Sequence, residues 1–185
     1  MKYDIIYADP PWQYSSHNSI QKVSLVSKDQ SVYPTLSTKE ICALDVAGIA
    51  EKDALCFLWS TSPMLPDAMQ VMVAWGFKYA TIAFVWDKQR INAGSYTMSQ
   101  VEICLVAKRG KIPVPRGTRN ERQFLSEMRA KHSAKPAEVR ERIERMFPTQ
   151  KKIELFARGT SEGWDVLGDG VGKGDIREVL RGAWR

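Results

Sequence analysis

Residues 2–12 read Lys2-Tyr3-Asp4-Ile5-Ile6-Tyr7-Ala8-Asp9-Pro10-Pro11-Trp12. Tyr3, Ile5, Ile6, Tyr7 and Ala8 make a short β-branched and aromatic run. Pro10-Pro11 stops it, because proline has no N–H with which to continue a ladder. A buried strand is therefore expected, with Asp9-Pro10-Pro11-Trp12 at its carboxyl end. Carboxylates inside so short an apolar run exclude a signal peptide or a spanning helix, and no later apolar stretch approaches span length. A cytoplasmic protein without a membrane partner is expected.

Beyond that strand, residues 13–35 are mostly Ser, Asn, Gln and Lys with no apolar period. A stretch of this length in a compact domain is commonly functional, and a substrate-facing loop is expected. Ser37-Thr38-Lys39-Glu40 is a capping box, opening a helix with Ile41 and Leu44 on one face. Residues 54–60 form a continuous apolar strand, and Ser62-Pro63 reads as a cap and first-turn proline leading into a helix over 64–75, closed by Gly76. Residues 79–86 and 101–107 read as further strands, the latter halted by Lys108-Arg109-Gly110. After an irregular basic stretch, Lys135-Pro136 opens a helix with Val139, Ile143 and Met146 on one face and Arg140, Arg142 and Arg145 outward. Residues 153–157 and 164–167 are two more strands, and 175–181 a last helix. Such alternation predicts an α/β sheet with helices on both faces.

The chain has 185 residues, 44% hydrophobic and 26% charged. That composition excludes a disordered chain, a collagen-like repeat or a disulfide scaffold, and one domain over 1–185 is expected. Cys42, Cys56 and Cys104 sit among apolar neighbours without a Cys-x-x-Cys, and His17 and His132 are the only imidazoles, so reduced thiols and no metal are expected. The net charge is +6, but residues 108–152 hold 14 Lys and Arg against 5 Asp and Glu, which leaves the rest of the chain at −3. This asymmetry points to a polyanion, with a solvated basic face as the equal alternative.

Asp9-Pro10-Pro11-Trp12 has a chemical rationale. The lone pair of an exocyclic nucleobase amine is delocalised into the ring, so a catalyst must accept hydrogen bonds from both N–H groups to make it nucleophilic. Asp9 offers a carboxylate and Pro10 a carbonyl, Pro10 and Pro11 fix the backbone, and Trp12 offers a flat face for an extruded base. On the tetrapeptide alone a second reading is equally open, in which Pro-Pro ends an edge strand and Trp12 packs in the core.

The sequence resembles the MT-A70-like adenine-N6 methyltransferases, typified by the catalytic subunit of the eukaryotic messenger-RNA methylating complex, and especially their small bacterial and phage relatives. The resemblance rests on Ala8-Asp9-Pro10-Pro11-Trp12, Phe57-Leu58-Trp59, Trp75-Gly76-Phe77, Gly94-Ser95-Tyr96 with Glu102, Ser133-Ala134-Lys135-Pro136, Lys152-Ile153-Glu154-Leu155-Phe156-Ala157-Arg158 and Gly163-Trp164-Asp165, in the family's order. Bacterial relatives often place an Arg four positions before the Glu102 equivalent, where this chain has Met98.

The resemblance implies a Rossmann-like S-adenosylmethionine-dependent methyltransferase fold with permuted motif order and a mostly parallel central sheet. It implies catalytic roles for Asp9, Pro10, Pro11 and Trp12. S-adenosylmethionine would be bound by Asp9, Lys135, Phe156, Arg158, Ser161, Gly168, Asp169 and Gly170, with Lys135 on its carboxylate and Arg158 on its ribose side. Asp169 stands where relatives carry an amide side chain. The base would lie against Trp12, Tyr14 and Tyr96, and phosphates against Arg116, Arg119, Arg122, Arg129 and Lys131. The expected reaction is methylation of adenine N6 in nucleic acid, DNA favoured over RNA, by a monomer or homodimer. A non-catalytic nucleic-acid-binding subunit and a cytosine-N4 methyltransferase are the alternatives.

Overall fold

A computed structural model describes residues 1–14, 35–94, 96–128, 134–168, 171 and 174–182. Within them, strands β1 (Tyr3–Ala8), β2 (Ala50–Ser60), β3 (Lys78–Asn92), β4 (Ser99–Arg109), β5 (Phe124–Ser126), β6 (Lys152–Leu155) and β7 (Asp165–Leu167) form one sheet in the order β5-β3-β4-β2-β1-β6-β7. β1 pairs parallel with β2 and β6, β6 with β7 and β3 with β5, whereas β4 runs antiparallel to both β2 and β3. The sheet is thus mostly parallel, as expected, with one antiparallel strand. β1 lies in its interior, so Pro10-Pro11 does not end an edge strand.

Helices α1 (Thr38–Cys42), α2 (Val46–Ile49), α3 (Leu65–Ala74), α4 (Ala137–Met146) and α5 (Ile176–Gly182) complete the described elements. Alternation along β1 separates two cores. Ile6 and Ala8 join Ile41, Val71, Met72, Trp75 and Leu180 on one side. Ile5 and Tyr7 join Phe57, Trp59, Val139, Ile143 and Phe147 on the other. Val139, Ile143 and Phe147, one helical turn apart, are fully buried, and each contributes roughly 1.5–3 kcal/mol of transfer free energy. No described helix is long and apolar enough to cross a membrane.

Several local expectations hold. Ser37 accepts from the Glu40 amide while Glu40 accepts from the Ser37 amide, completing the capping box. Gly76 takes φ +79 after α3, a conformation glycine adopts without strain. Cys56 and Cys104 are buried free thiols, and burial pushes Cys56 up to about 12. Others are corrected. Ser62 begins a 3-10 turn, Ser62–Met64, rather than capping α3; Thr61, in the cap position, makes no capping bond, and its hydroxyl pairs instead with that of Tyr14 (2.9 Å). Arg142 does not face outward: it pairs with Glu138 (2.9 Å) and donates to the carbonyls of Arg122 and Phe124.

Candidate active site

The parallel strands β1 and β6 end side by side, Ala8 opposite Leu155, and the crevice beyond their carboxyl ends is where open α/β sheets hold ligands. A cleft of about 250 Å³ opens there, lined among others by Tyr7, Asp9, Lys135, Arg140, Glu154, Phe156 and Arg158.

Asp9 leaves β1 into this cleft. Lys135, two residues before α4, brings its ammonium to 2.8 Å from both Asp9 carboxylate oxygens. The same Nζ lies 3.2 Å from Glu102 Oε2, while Lys88 Nζ lies 3.3 Å from Glu102 Oε1. Asp9, Lys135, Glu102 and Lys88 thus form a charge-balanced chain across β1, β4, β3 and the α4 entrance. Burial alone would push Glu102 up, but Lys135 and Lys88 outweigh it and hold the carboxyl below its ordinary 4.5. Burial alone would pull Lys135 down, but Asp9 and then Glu102 outweigh it and hold the ammonium above 10.5. Trp59 adds its ring face, 5.5 Å from Nζ.

These shifts have opposite consequences for stability. Glu102 contributes stability present above pH 4.5 and lost as pH falls through its lowered folded value; Lys135 contributes stability present below pH 10.5 and lost as pH rises through its raised one. The network is complete between the two. Glu102→Gln is expected to lower the melting temperature at neutral pH, and the gap to the unsubstituted chain should narrow as pH drops below 4.5. A gap that stays constant in acid would contradict this ionic role.

On the opposite wall, Glu154 pairs with Arg140 (2.8 Å). Burial raises its carboxyl, Arg140 opposes that, and Asp9 adds to it, for a net rise. Tyr7, whose hydroxyl accepts from Trp59 Nε1 (2.7 Å), is held neutral by burial above all. After β6 the chain turns sharply. Phe156 has φ +62, a left-handed conformation costly for a residue with a side chain and concentrated at functional sites. Gly168 closes the same corner: a Cβ there would lie 2.5 Å from the nitrogen and oxygen of Ala157, so only glycine permits the approach. Ala134, Gly159, Thr160 and Ser161 complete the lining.

The tetrapeptide's expected roles are partly revised. Trp12 is only 7% exposed, within the core, and its Nε1 donates to the Trp59 carbonyl (3.1 Å). It braces the turn instead of presenting an open face. The Pro10 carbonyl already accepts from the Trp12 amide (2.9 Å), which leaves it one further lone pair. Pro11 accepts from Leu36 N (2.8 Å), tying the segment that enters α1 to the turn. Tyr14 and Tyr96 are open, at 53% and 100% exposure. Arg119 and Arg122 are exposed and in no ion pair among the described residues. Arg116 is half-buried with its guanidinium 4.7 Å from the Phe147 ring centroid, and is less available than a surface arginine. Arg129, Lys131, Asp169, Gly170 and residues 15–34 of the loop lie outside the described residues.

Sequence reasoning placed residues 88–100 in a loop clasping the extruded base, where 88–92 and 99–100 belong instead to β3 and β4, and it put none of Lys88, Glu102, Glu154 or Arg140 among the charge pairs of the site. The signal for Glu102 was present: a carboxylate in the apolar run Val101-Glu102-Ile103-Cys104-Leu105 must find a partner. Lys88 had no comparable signal.

The sequence profile of the MT-A70 family matches residues 3–170. The chain is 45% identical over 179 residues to the Type II methyltransferase M.MunI of a Mycoplasma species, covering 90% of this chain and 77% of that one. It is 29% identical over 194 residues to an N(6)-adenosine-methyltransferase MT-A70-like protein of Arabidopsis thaliana, covering 99% of this chain and 26% of that one. It is 28% identical over 181 residues to the human N(6)-adenosine-methyltransferase catalytic subunit METTL3, covering 91% and 28% respectively. The chain therefore spans about a quarter of these eukaryotic relatives.

Proposed function

The chain belongs to the MT-A70 family, and from that premise we infer that it transfers a methyl group from S-adenosylmethionine to the N6 amine of adenine in DNA, acting as a single domain over residues 1–185. The observation that carries this reading is the Asp9 carboxylate, gripped on both oxygens by Lys135 at the carboxyl end of β1.

The chemistry of the cleft fits S-adenosylmethionine. Its amino-acid end is zwitterionic, and the lining offers Lys135 and Arg140 for a carboxylate and Asp9 and Glu154 for an ammonium. Arg158, Thr160 and Ser161 supply polar partners for sugar hydroxyls, Phe156 an aromatic side, and Gly168 the close backbone approach beside it. Asp169 and Gly170 belong to the same proposed set. When bound, the cofactor supplies an electrophilic methyl group on a sulfonium.

The chain's own residues do the rest. Asp9 accepts one hydrogen bond from the target amine, and the remaining lone pair of the Pro10 carbonyl accepts the other, so that the nitrogen lone pair is drawn out of the ring. Pro11 and Trp12 hold that turn in place. Lys135 keeps Asp9 aimed. Tyr14 and Tyr96 supply faces for the extruded base. M.MunI, which the chain covers over most of its length, is a Type II methyltransferase; that likeness favours DNA over RNA.

Exposed Arg119 and Arg122, with Arg129 and Lys131, provide phosphate contacts, Arg116 contributing less because Phe147 restrains it. Neutralising Arg119 and Arg122 together is expected to flatten the log–log salt dependence of duplex affinity by about 0.9 per lost contact, equally for related and unrelated sequences. An unchanged slope would assign these arginines to a solvated face. The activity itself is tested by digesting genomic DNA from cells that express the chain and measuring modified nucleosides by mass spectrometry. N6-methyldeoxyadenosine is expected; N4-methyldeoxycytidine would establish the cytosine alternative instead.

A further inference from the structure

Past Asp87 on β3 and Glu102 on β4, the hairpin leaves the sheet. β4 pairs with β2 only as far as Ile103, and β5 pairs with β3 only from Val85 to Asp87. Beyond those points β3 and β4 pair with each other alone, out to Asn92 and Ser99. A free two-stranded ribbon gains little stability in water by itself. This one carries apolar side chains toward its end, Ile91 at 60% and Met98 at 66% exposure. Residues 88–101 include no Asp or Glu; Lys88 is taken up by Glu102, and exposed Arg90 leaves the outer ribbon cationic and compatible with a polyanion. Between Asp87–Val101 and Asn92–Ser99 the register is irregular, residues 88–91 facing Gln100 alone, and Gln89 takes φ +51, so β3 bulges as the ribbon leaves the sheet.

The ribbon is rooted in the candidate active site. Glu102 holds Lys135 beside Asp9, and Lys88 holds Glu102. At the same level Asp87 accepts from Gln100 Nε2 (2.7 Å) and Ser126 Oγ (2.9 Å), which fixes the direction in which the ribbon leaves the sheet. A movement of the tip is thereby tied to the groups around the target amine.

We propose that this ribbon is a wedge for duplex DNA: Ile91 and Met98 enter the base stack at the place an extruded adenine vacates. The proposal rests on the adenine methyltransferase reading of the site. Extruding a base leaves an apolar gap between its former neighbours, and an apolar side chain filling it offsets the lost stacking. The lack of acidic groups lets the ribbon approach phosphates.

The test uses the full chain and two duplexes, one containing the mapped target adenine normally paired, the other with an abasic site opposite that adenine. Ile91→Ser combined with Met98→Ser is expected to lower kcat/KM by about tenfold or more on the paired duplex and by less than about twofold on the abasic one, where the base is already unpaired. S-adenosylmethionine affinity should not change. Permanganate, which oxidises unstacked thymines without any methyl transfer, should reveal hyper-reactive thymines in DNA bound by the unsubstituted chain and not by the double variant. Equal losses on both duplexes, no loss on either, or identical permanganate patterns would overturn the wedge. So would parallel losses accompanied by conversion of a dimer to a monomer in sedimentation, which would assign the tip to a second copy of the chain. Failure of the unsubstituted chain to methylate either duplex would refute the methyltransferase reading alone, and the permanganate pattern would still decide the wedge.

Discussion

Asp9→Ala is expected to lower methyl transfer by about 10²-fold or more, the usual cost of removing one aligned acceptor from a developing charge. The loss should appear in kcat, because the hydrogen bond to the target amine strengthens as the nitrogen turns pyramidal. Binding of S-adenosylmethionine, measured by calorimetry, should weaken only modestly, since the remaining polar lining persists without Asp9. The fold should survive: Lys135 retains Glu102 at 3.2 Å, and the turn remains braced by Trp12 and by the bond from Leu36 to Pro11. Turnover near that of the unsubstituted chain would remove Asp9 from the chemistry.

Lys135→Met should act on stability as well as on activity. Without the ammonium, Asp9 and Glu102 lose their shared partner while remaining largely buried, with side chains 23% and 15% exposed. Breaking such an ion pair from one side costs about 3–5 kcal/mol where the partner charge stays behind without compensation, as Asp9 does, while Glu102 keeps Lys88 at 3.3 Å. Denaturant titration should show a lower midpoint with an unchanged slope. Adding Asp9→Asn to Lys135→Met should recover part of that stability by removing the stranded charge, but none of the activity, since the acceptor carboxylate would be gone. A stability change under about 1 kcal/mol would mean that water satisfies Asp9, as at an exposed pair.

The parts of the fold that depend on local chemistry were readable from residues. The β1 run and its Pro-Pro stop, the Ser37–Glu40 capping box and the left-handed Gly76 each follow from nearest-neighbour physics. Strand direction was not. Apolar runs at 79–86 and 101–107 look alike whether they pair parallel or antiparallel, and only a connection too short for a crossover helix distinguishes β3–β4 as a hairpin. Its ribbon was invisible for another reason: residues 89–92 are exposed and mostly polar, so no burial pattern marks them as strand.

The site divides along similar lines. Asp9 and Lys135 were named from motifs, but their contact joins positions 126 residues apart, and nothing in a single sequence encodes such a distance. Trp12 could have been a stacking face or core, and the choice was made by the Trp59 carbonyl, which gives its indole N–H a buried acceptor. The basic excess of residues 108–152 overstated the free charge, because Arg140, Arg142 and Arg145 are each committed to carboxylates. Net charge counts such residues as if all were available to a partner.

Methylation of adenine N6 is assigned to the Asp9-centred cleft. It is tested most directly by incubating the purified chain with S-adenosylmethionine carrying a deuterated methyl group and with unmethylated DNA and RNA of matched sequence, then resolving the nucleosides by mass spectrometry. The mass-shifted methyl is expected on N6 of deoxyadenosine, present with the unsubstituted chain and reduced to background with Asp9→Ala. A labelled methyl on cytosine, a label confined to RNA, or an equal yield from the Asp9 variant would contradict it.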